Sequence, residues 1–442
     1  MGKLKYILAV FTITFLLIAP LTVRGESNII LWKGQVCENV PYQKSIESVD
    51  IANSTIYVGC GYIENIKGVL WYRGNITAFS LEGQKLWSES VGFVRKIQKV
   101  QDGIIVGVDI SRGPSDWFGT LGKIWLLQNN GSLVSGNITY GSFFDFQIVD
   151  NEIYISDGWW IGEGKANETW GRVYKWKVLG DKFVEEWYVE LNGTIGRVRV
   201  GNGIIYAGSG APSGYRMKYY FGDVYGISPE GKILWKVHTG WWIRDMEVWN
   251  DYVIVGTGFE NVAGKLYLID NKGNVVWSTD LYYVEDIEVE NNVAYVAGIQ
   301  GSEGKVTAID LASKKKLWEV SFPYRAKVVK YYNNKLLIGT GKFDIKQENN
   351  QSVVYNVGSL YIVDSKTGNI LEKIDTGYVR SIALSGNIAV IGTGGKDFYV
   401  IDLSKIKEKS TLNQQALMVI VAVIVIATGI AAYTSRRKHA EK

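Results

Sequence analysis

The sequence predicts an all-β chain: an eight-bladed β-propeller of four-stranded antiparallel blades, closed by its N-terminal strand, plus one C-terminal transmembrane helix. Three observations carry this. A unit of glycine, alternating apolar residues, a polar turn and tryptophan recurs along the chain, as in GKLYLIDNKGNVVW (264–277). Aromatic residues make up 13% of the 442 positions and glycines number 50, a composition that favours strands and tight turns over helices. A Leu-Trp pair near the N-terminus, in NIILWKG (28–34), duplicates the end of that repeat.

Taken in order, each period contains four elements. An alternating run such as RDMEVWNDYV (244–253) comes first, then a strand such as VIVGTG (253–258). A variable connection leads to the GxLYxID strand, and a polar turn leads to a strand ending in Leu-Trp. GNITAFSLEGQKLW (74–87) and GDVYGISPEGKILW (222–235) share the spacing of 264–277, and GKVTAIDLASKKKLW (304–318) has one extra residue. Weaker copies begin at 122, 171 and 358, and an eighth, from 395, stops before its tryptophan. Seven of the eight second strands are expected to carry glycine at one equivalent place, with Ser156 in the other. A period of about 40–50 residues with four antiparallel strands is the pattern of a propeller blade, and its period-2 alternation excludes helical repeats. Since the eighth copy lacks a last strand, 28–34 is expected to supply it and to close the ring.

Both ends of the chain carry other signals. Lys3 and Lys5 precede an apolar run from Tyr6 to Val23 followed by VRGES, so 1–25 reads as a signal peptide. The body is 26–408 and a short stalk 409–415 follows. Residues 416–433 are uncharged, and 18 helical residues span about 27 Å, enough to cross a membrane. The basic tail 434–442 then stays cytoplasmic, which leaves the propeller outside at the plasma membrane. The two ends hold three net positive charges each, so the chain's formal +4 leaves about −2 on the body and no electrostatic case for nucleic acid.

Sequons at Asn53, Asn75, Asn130, Asn137, Asn167, Asn192 and Asn350 suit a glycosylated exterior. In that setting Cys37 and Cys60, the only cysteines, either pair or remain two buried thiols. Few Cys and Met, many Lys and Glu, and a single anchor are also features of heat-adapted archaeal surface proteins.

These repeats resemble the PQQ-like (quinoprotein-dehydrogenase-like) β-propeller family over about residues 28–404. The resemblance implies that one tryptophan per repeat docks a blade on the next, here Trp32, Trp87, Trp187, Trp235, Trp277 and Trp318, with Ser135 and Glu372 departing from the pattern. The family includes quinone- and calcium-dependent dehydrogenases and also a non-catalytic factor of outer-membrane assembly. This sequence lacks the dehydrogenases' adjacent cysteines, their calcium carboxylate set and a CxxCH haem site. With only His238 and His439 as histidines, it offers little for His-based catalysis, and it shows no phosphate loop, HExxH or GxSxG motif. No cofactor, metal or catalytic residue is therefore expected. The alternatives are a quinone- or metal-dependent oxidoreductase and a structural component of the cell envelope.

Sorting loops by strand direction places the interblade connections and the second-to-third-strand loops on one face. Phe93, Phe144, Trp242, Tyr283, Tyr324 and Tyr378 come just before the inner strands. Arg95, Arg197, Arg244, Asp245, Glu285, Arg325 and Arg380 stand beside them, and these side chains are expected to ring the mouth of the central channel. The second class of loop adds aromatics from Trp71 to Phe221 and the long insertions 156–170, 209–221 and 340–357. Aromatic faces suit sugar rings or peptide side chains, and arginines suit carboxylates. The expected role is binding of a protein partner or an extracellular glycan, as a monomer or within a surface complex.

Overall fold

The structure, a computed structural model, describes residues 29–406 except 39, 41–42, 68, 113–116, 119, 162–168, 212–219 and 349–350. The predicted signal peptide, stalk, transmembrane helix and tail lie outside these residues. No helix among the described residues is long and apolar enough to cross a membrane. Apart from one short 3-10 turn at Leu403–Lys405, the regular structure described is all strand.

The architecture is that of a β-propeller. Antiparallel four-stranded units occupy 194–238, 242–281, 283–322 and 326–375, and 142–192 is such a unit with the two-residue strand Trp117–Phe118 added. Units 44–90 and 93–138 are joined into one nine-stranded sheet, because the strand Val69–Arg73 pairs with Thr55–Ile66 and reaches Ser111 through Trp71. The strands Val379–Ser385, Ile388–Thr393 and Asp397–Asp402 are completed by Ile30–Gln35, which pairs antiparallel with Asp397–Asp402. The innermost strands touch one another in chain order, and Val379–Ser385 touches Lys44–Ala52. Cys37 and Cys60 form a disulfide between the segment after Ile30–Gln35 and the first complete unit.

First and second strands are joined by tight turns built on left-handed residues. Asn291 and Asn292 have φ of 49° and 64°, and Asn333 and Asn334 of 45° and 60°, as a two-residue turn matched to the twist of a hairpin requires. In five units the next hairpin receives the preceding unit's tryptophan. The indoles of Trp32, Trp87, Trp187, Trp235 and Trp318 donate to the carbonyls of Leu81, Asn129, Pro229, Asn271 and Ser365 at 2.6–3.0 Å. Beneath each ring lies a glycine with positive φ; at Gly273 a Cβ would come within 2.8 Å of Trp235. Trp277 is different. It packs beside Ile309 and Leu311, but the longer turn there offers Lys314 where the others have glycine, and a crevice of about 390 Å³ opens beside the ring. In 264–277 itself, Asp270 caps its own turn by accepting from the amides of Lys272 and Asn274.

Two of the long insertions are ribbon where described. Lys335–Glu348 and Gln351–Asp364 form one continuous hairpin, and Glu152–Ile161 stays paired with Thr169–Leu179 as far as Trp160 and Thr169. Extending the flanking strands satisfies backbone groups that an irregular loop would leave to water.

Candidate functional site

Each innermost strand carries a β-bulge at the same level. The register breaks between Ser45 and Ser48, and then at Arg95, Phe144, Gly196, Arg244, Glu285, Lys327 and Arg380 in the succeeding units. Two residues then oppose one, which turns the bulged side chain away from the sheet. All of these bulge positions, with Glu47 in the first, line a single cavity of about 760 Å³ at the channel mouth.

Opposite the bulge the second strand needs a small residue: Gly59, Gly107, Ser156, Gly208, Gly256, Ala297, Gly339 and Gly392 stand there. A Cβ at Gly59 would lie 2.2 Å from Val94 of the next unit, and one at Gly256 would lie 2.5 Å from Val284. The expectation of seven glycines is corrected to six: Ala297 holds the register, and Gly298 falls one residue beyond it.

The mouth is densely charged. Glu47 pairs with Arg380, and Arg95 with Asp109 at 2.8 Å. Glu285 is buried and receives three cations: Arg244 at 3.1 Å, Arg325 at 2.6 Å and Lys327 at 2.7 Å. One layer deeper, Arg199 bridges Asp145, Asp245 and Glu247, while Lys96 reaches Asp145 at 2.6 Å.

Carboxylates of this layer also close the strand edges. Asp245 accepts from the Ile287 amide, Asp286 from Val329 and Asp50 from Lys99, so each covers an amide of the following inner strand that has no ladder partner.

Burial would raise the Glu47 carboxyl, but Arg380 and Arg95, with hydrogen bonds from Arg380 and Ser45, hold it down at about 2. Burial likewise opposes ionisation of Glu285, yet Lys327, Arg244 and Arg325 hold it well below the carboxylate range. Asp286 goes the other way. Burial, aided by Asp245 and Glu288, pushes it up to about 7 against the pull of Lys330 and the Val329 amide. Lys327 is lowered by burial and by nearby Arg380 and Arg244, with Glu285 opposing.

Of the residues expected at the mouth, Arg95, Arg197, Trp242, Arg244, Glu285 and Arg380 line the cavity, as does Phe144. Asp245 lies beneath it, 1% exposed, bound by Arg197 and Arg199. Phe93, Tyr283 and Tyr378 are buried, and each supports a guanidinium: Arg95 stands 4.3 Å above Phe93, Arg244 5.1 Å from Tyr283 and Arg380 5.0 Å from Tyr378. Tyr324 lies to the side near Lys342, and Arg325 reaches in only to Glu285. Sequence reasoning missed Glu47, Gly196, Asp286 and Lys327. Aligning the inner strands on their aliphatic residues would have put Glu47, Gly196 and Lys327 in one column with Arg244.

Among the loop aromatics, Trp71 is exposed and Tyr72 lines the cavity beside Leu70. Trp159 is buried, and Tyr220 and Trp241 pack on Phe259. Tyr215, Tyr219 and the side chains of Trp117, Phe118 and Trp160 are outside the described residues. Of the sequons, Asn53, Asn130 and Asn192 are exposed, Asn75 and Asn137 are half-buried, and Asn167 and Asn350 are outside the description. Among the described residues no group of His, Cys, Asp and Glu side chains forms a metal-holding cluster.

Comparison with known proteins agrees with this architecture. Residues 220–377 match the PQQ-like family model described as outer membrane protein assembly factor BamB. Among solved structures, BamB from Moraxella catarrhalis is 10% identical with a TM-score of 0.55, covering 84% of this chain and 97% of that one. Sqt1 of Saccharomyces cerevisiae is 10% identical with a TM-score of 0.60 over 85% and 99%, and the Dos1 propeller is 11% identical with a TM-score of 0.52 over 86% and 97%. A search of curated proteins gives no match.

Proposed function

We propose that this chain, a β-propeller of the PQQ-like family, is a non-catalytic binding scaffold held on the outside of a membrane, with a protein partner seated at its channel mouth. The observation that carries the reading is the cavity of about 760 Å³ into which every inner strand turns a bulged position. A concave site of that size, with aromatic and charged walls on a rigid frame, is a usual binding architecture. The matching family's description as an assembly factor is in keeping with a role in holding partners.

The reading includes eight blades in a ring closed by Ile30–Gln35. Its support is the pairing of that strand with Asp397–Asp402, reinforced by the Cys37–Cys60 bond. It also includes the signal peptide 1–25, the stalk 409–415, the transmembrane helix 416–433 and the cytoplasmic tail 434–442, for which the sequence pattern is the support. The Asp402 amide donates to the Ile29 carbonyl, and the Leu403 amide donates to the carbonyl of Asn387 in a first-to-second-strand turn, so both ends of the body sit on the hairpin-turn side. A short stalk would then hold that side toward the membrane and present the mouth outward.

Photo-crosslinking on intact cells tests this. A crosslinker at Tyr72, beside the mouth, is expected to capture one specific partner protein, and one at Glu82, in a hairpin turn, is not. Capture from Glu82 alone, or equally from both, would overturn the reading. Capture of glycan in place of protein at Tyr72 would replace the partner class.

A further inference from the structure

We infer that the mouth takes a single carboxylate of the partner, an acidic side chain of a protein segment, seated on Arg244 and Lys327 beside the Trp242 indole. This rests on the mouth-binding reading above.

The charges around the mouth are matched except at one wall. Arg95 has Asp109, Arg380 has Glu47 and Arg197 has Asp245. Arg244, Arg325 and Lys327 share the one carboxylate of Glu285. That leaves two positive charges in excess while neighbouring Asp286, which accepts from the Val329 amide, keeps its proton, and one when it is ionised. A carboxylate brings one negative charge and reduces that excess without reversing it. A phosphate dianion would bring a second charge into a cavity already lined by Glu47, Glu285 and Asp286.

Donor capacity is unfilled at the same wall. The Trp242 indole nitrogen and the Arg244 Nε are buried with no acceptor among the described residues. Arg244 stands over the Trp242 ring, its Cζ 4.4 Å from the centroid, and reaches Glu285 from there. Beside them Gly196 is the one bulge position without a side chain, and its backbone packs close to the indole, where an added Cβ would lie 3.3 Å from the Trp242 nitrogen. Leu70, Tyr72 and Phe144 supply apolar surface for the rest of the segment. A guanidinium held over an aromatic ring, unpartnered donors and unbalanced positive charge together fit a planar monoanion.

Calorimetric titration of the full-length, detergent-solubilised chain tests the assignment. The probes are the capped peptide acetyl-Gly-Tyr-Glu-Gly-amide, its Gln counterpart, glucuronate and inorganic phosphate. The Glu peptide is expected to bind about tenfold or more tighter than the Gln peptide, the gain of a charge-assisted contact. Lys327→Met should remove most of that preference. Glu285→Gln should tighten the Glu peptide by releasing cations from their internal partner, an effect that a merely structural role would not produce. Equal binding of the two peptides, absence of binding, or tighter binding of phosphate or glucuronate would overturn the carboxylate assignment, as would weakening by Glu285→Gln. If the Tyr72 crosslink to the partner persists in those cases, the mouth reading stands without it; crosslinking from Glu82 alone removes both.

Discussion

The ring of docking tryptophans and the ring of inner-strand bulges are built from the same repeat, yet their contents differ in kind. The outer ring repeats one solution: an indole, a carbonyl acceptor and a glycine seat, as in Trp87 with Asn129 and Gly131 or Trp318 with Ser365 and Gly368. The inner ring repeats the backbone but not the side chain. Its bulges carry Arg95, Phe144, Gly196, Arg244, Glu285, Lys327 and Arg380, with Glu47 at the same level. Where every unit faces the same packing problem, the sequence converges on one answer. Where geometry is shared and chemistry is not, the positions are free to serve a ligand.

The largest effect should come from breaking an inner-ring pair. Arg380→Met leaves Glu47 half-buried and unpaired beside the strand junction between Val379–Ser385 and Lys44–Ala52. Removing one member of a fully buried pair costs about 3–5 kcal/mol, and this pair borders the cavity, so urea unfolding should show a loss at the low end, about 3 kcal/mol. The double variant Glu47→Leu with Arg380→Met should recover most of it. No recovery would mean that Arg380 acts through its stacking on Tyr378 rather than through Glu47.

The inner ring should also govern pH dependence, with two carboxyls of opposite sign. Glu47 sits at about 2, below its unfolded value, so its contribution is present above about pH 4.5 and is lost as pH falls toward 2. Asp286 sits at about 7, above its unfolded value, so the native state holds a proton that the unfolded chain has released. Its contribution is full below about pH 4 and is lost as pH rises through 7. Thermal stability is therefore expected to peak near pH 5. Asp286→Asn, which keeps an acceptor for Val329, should flatten the decline between pH 5 and 8 and gain on the order of 2–3 kcal/mol at pH 8. A decline that is unchanged in the variant would assign it to other groups.

The propeller architecture is legible because its repeats are local: turn asparagines, glycine seats and Leu-Trp ends sit at fixed spacing. The mouth was only partly readable. A bulge changes the facing of a residue without changing its sequence pattern, so Asp245 and Arg244 look equally able to reach the channel. Only the register sends Arg244 to the mouth and Asp245 beneath it. Buried Phe93, Tyr283 and Tyr378 look ligand-facing in the sequence, because an aromatic before a strand gives no sign of which side its arginine will cover. Lys327 was passed over because KVVKYY reads as an ordinary amphipathic strand.

The outer ring offers a smaller test. Trp235 has a carbonyl acceptor and a glycine seat, whereas Trp277 has a crevice at its side. As half-buried rings they should fall below the full cost of a core tryptophan. Trp235→Ala should lose about 2 kcal/mol and Trp277→Ala about half of that. Equal losses would show that ring burial alone, without the seat, accounts for docking.

The smallest effect is a gain, and it asks whether the outer-ring solution can be transplanted. Ser135 stands where a docking tryptophan is expected, and the hairpin turn it faces in the next unit keeps Gly180, with φ of 62° and open space around it. Beside that glycine, Leu179 is 57% exposed. Ser135→Trp should lay a ring over both and stabilise by about 1 kcal/mol, the value of covering a modest apolar area. At Glu372, the other departure, the neighbouring Leu371 packs in the cluster that holds Leu403, and the 3-10 turn Leu403–Lys405 offers no glycine. Glu372→Trp should therefore gain nothing. A gain at both positions, or at neither, would detach docking from the glycine seat and leave tryptophan area as the sole term.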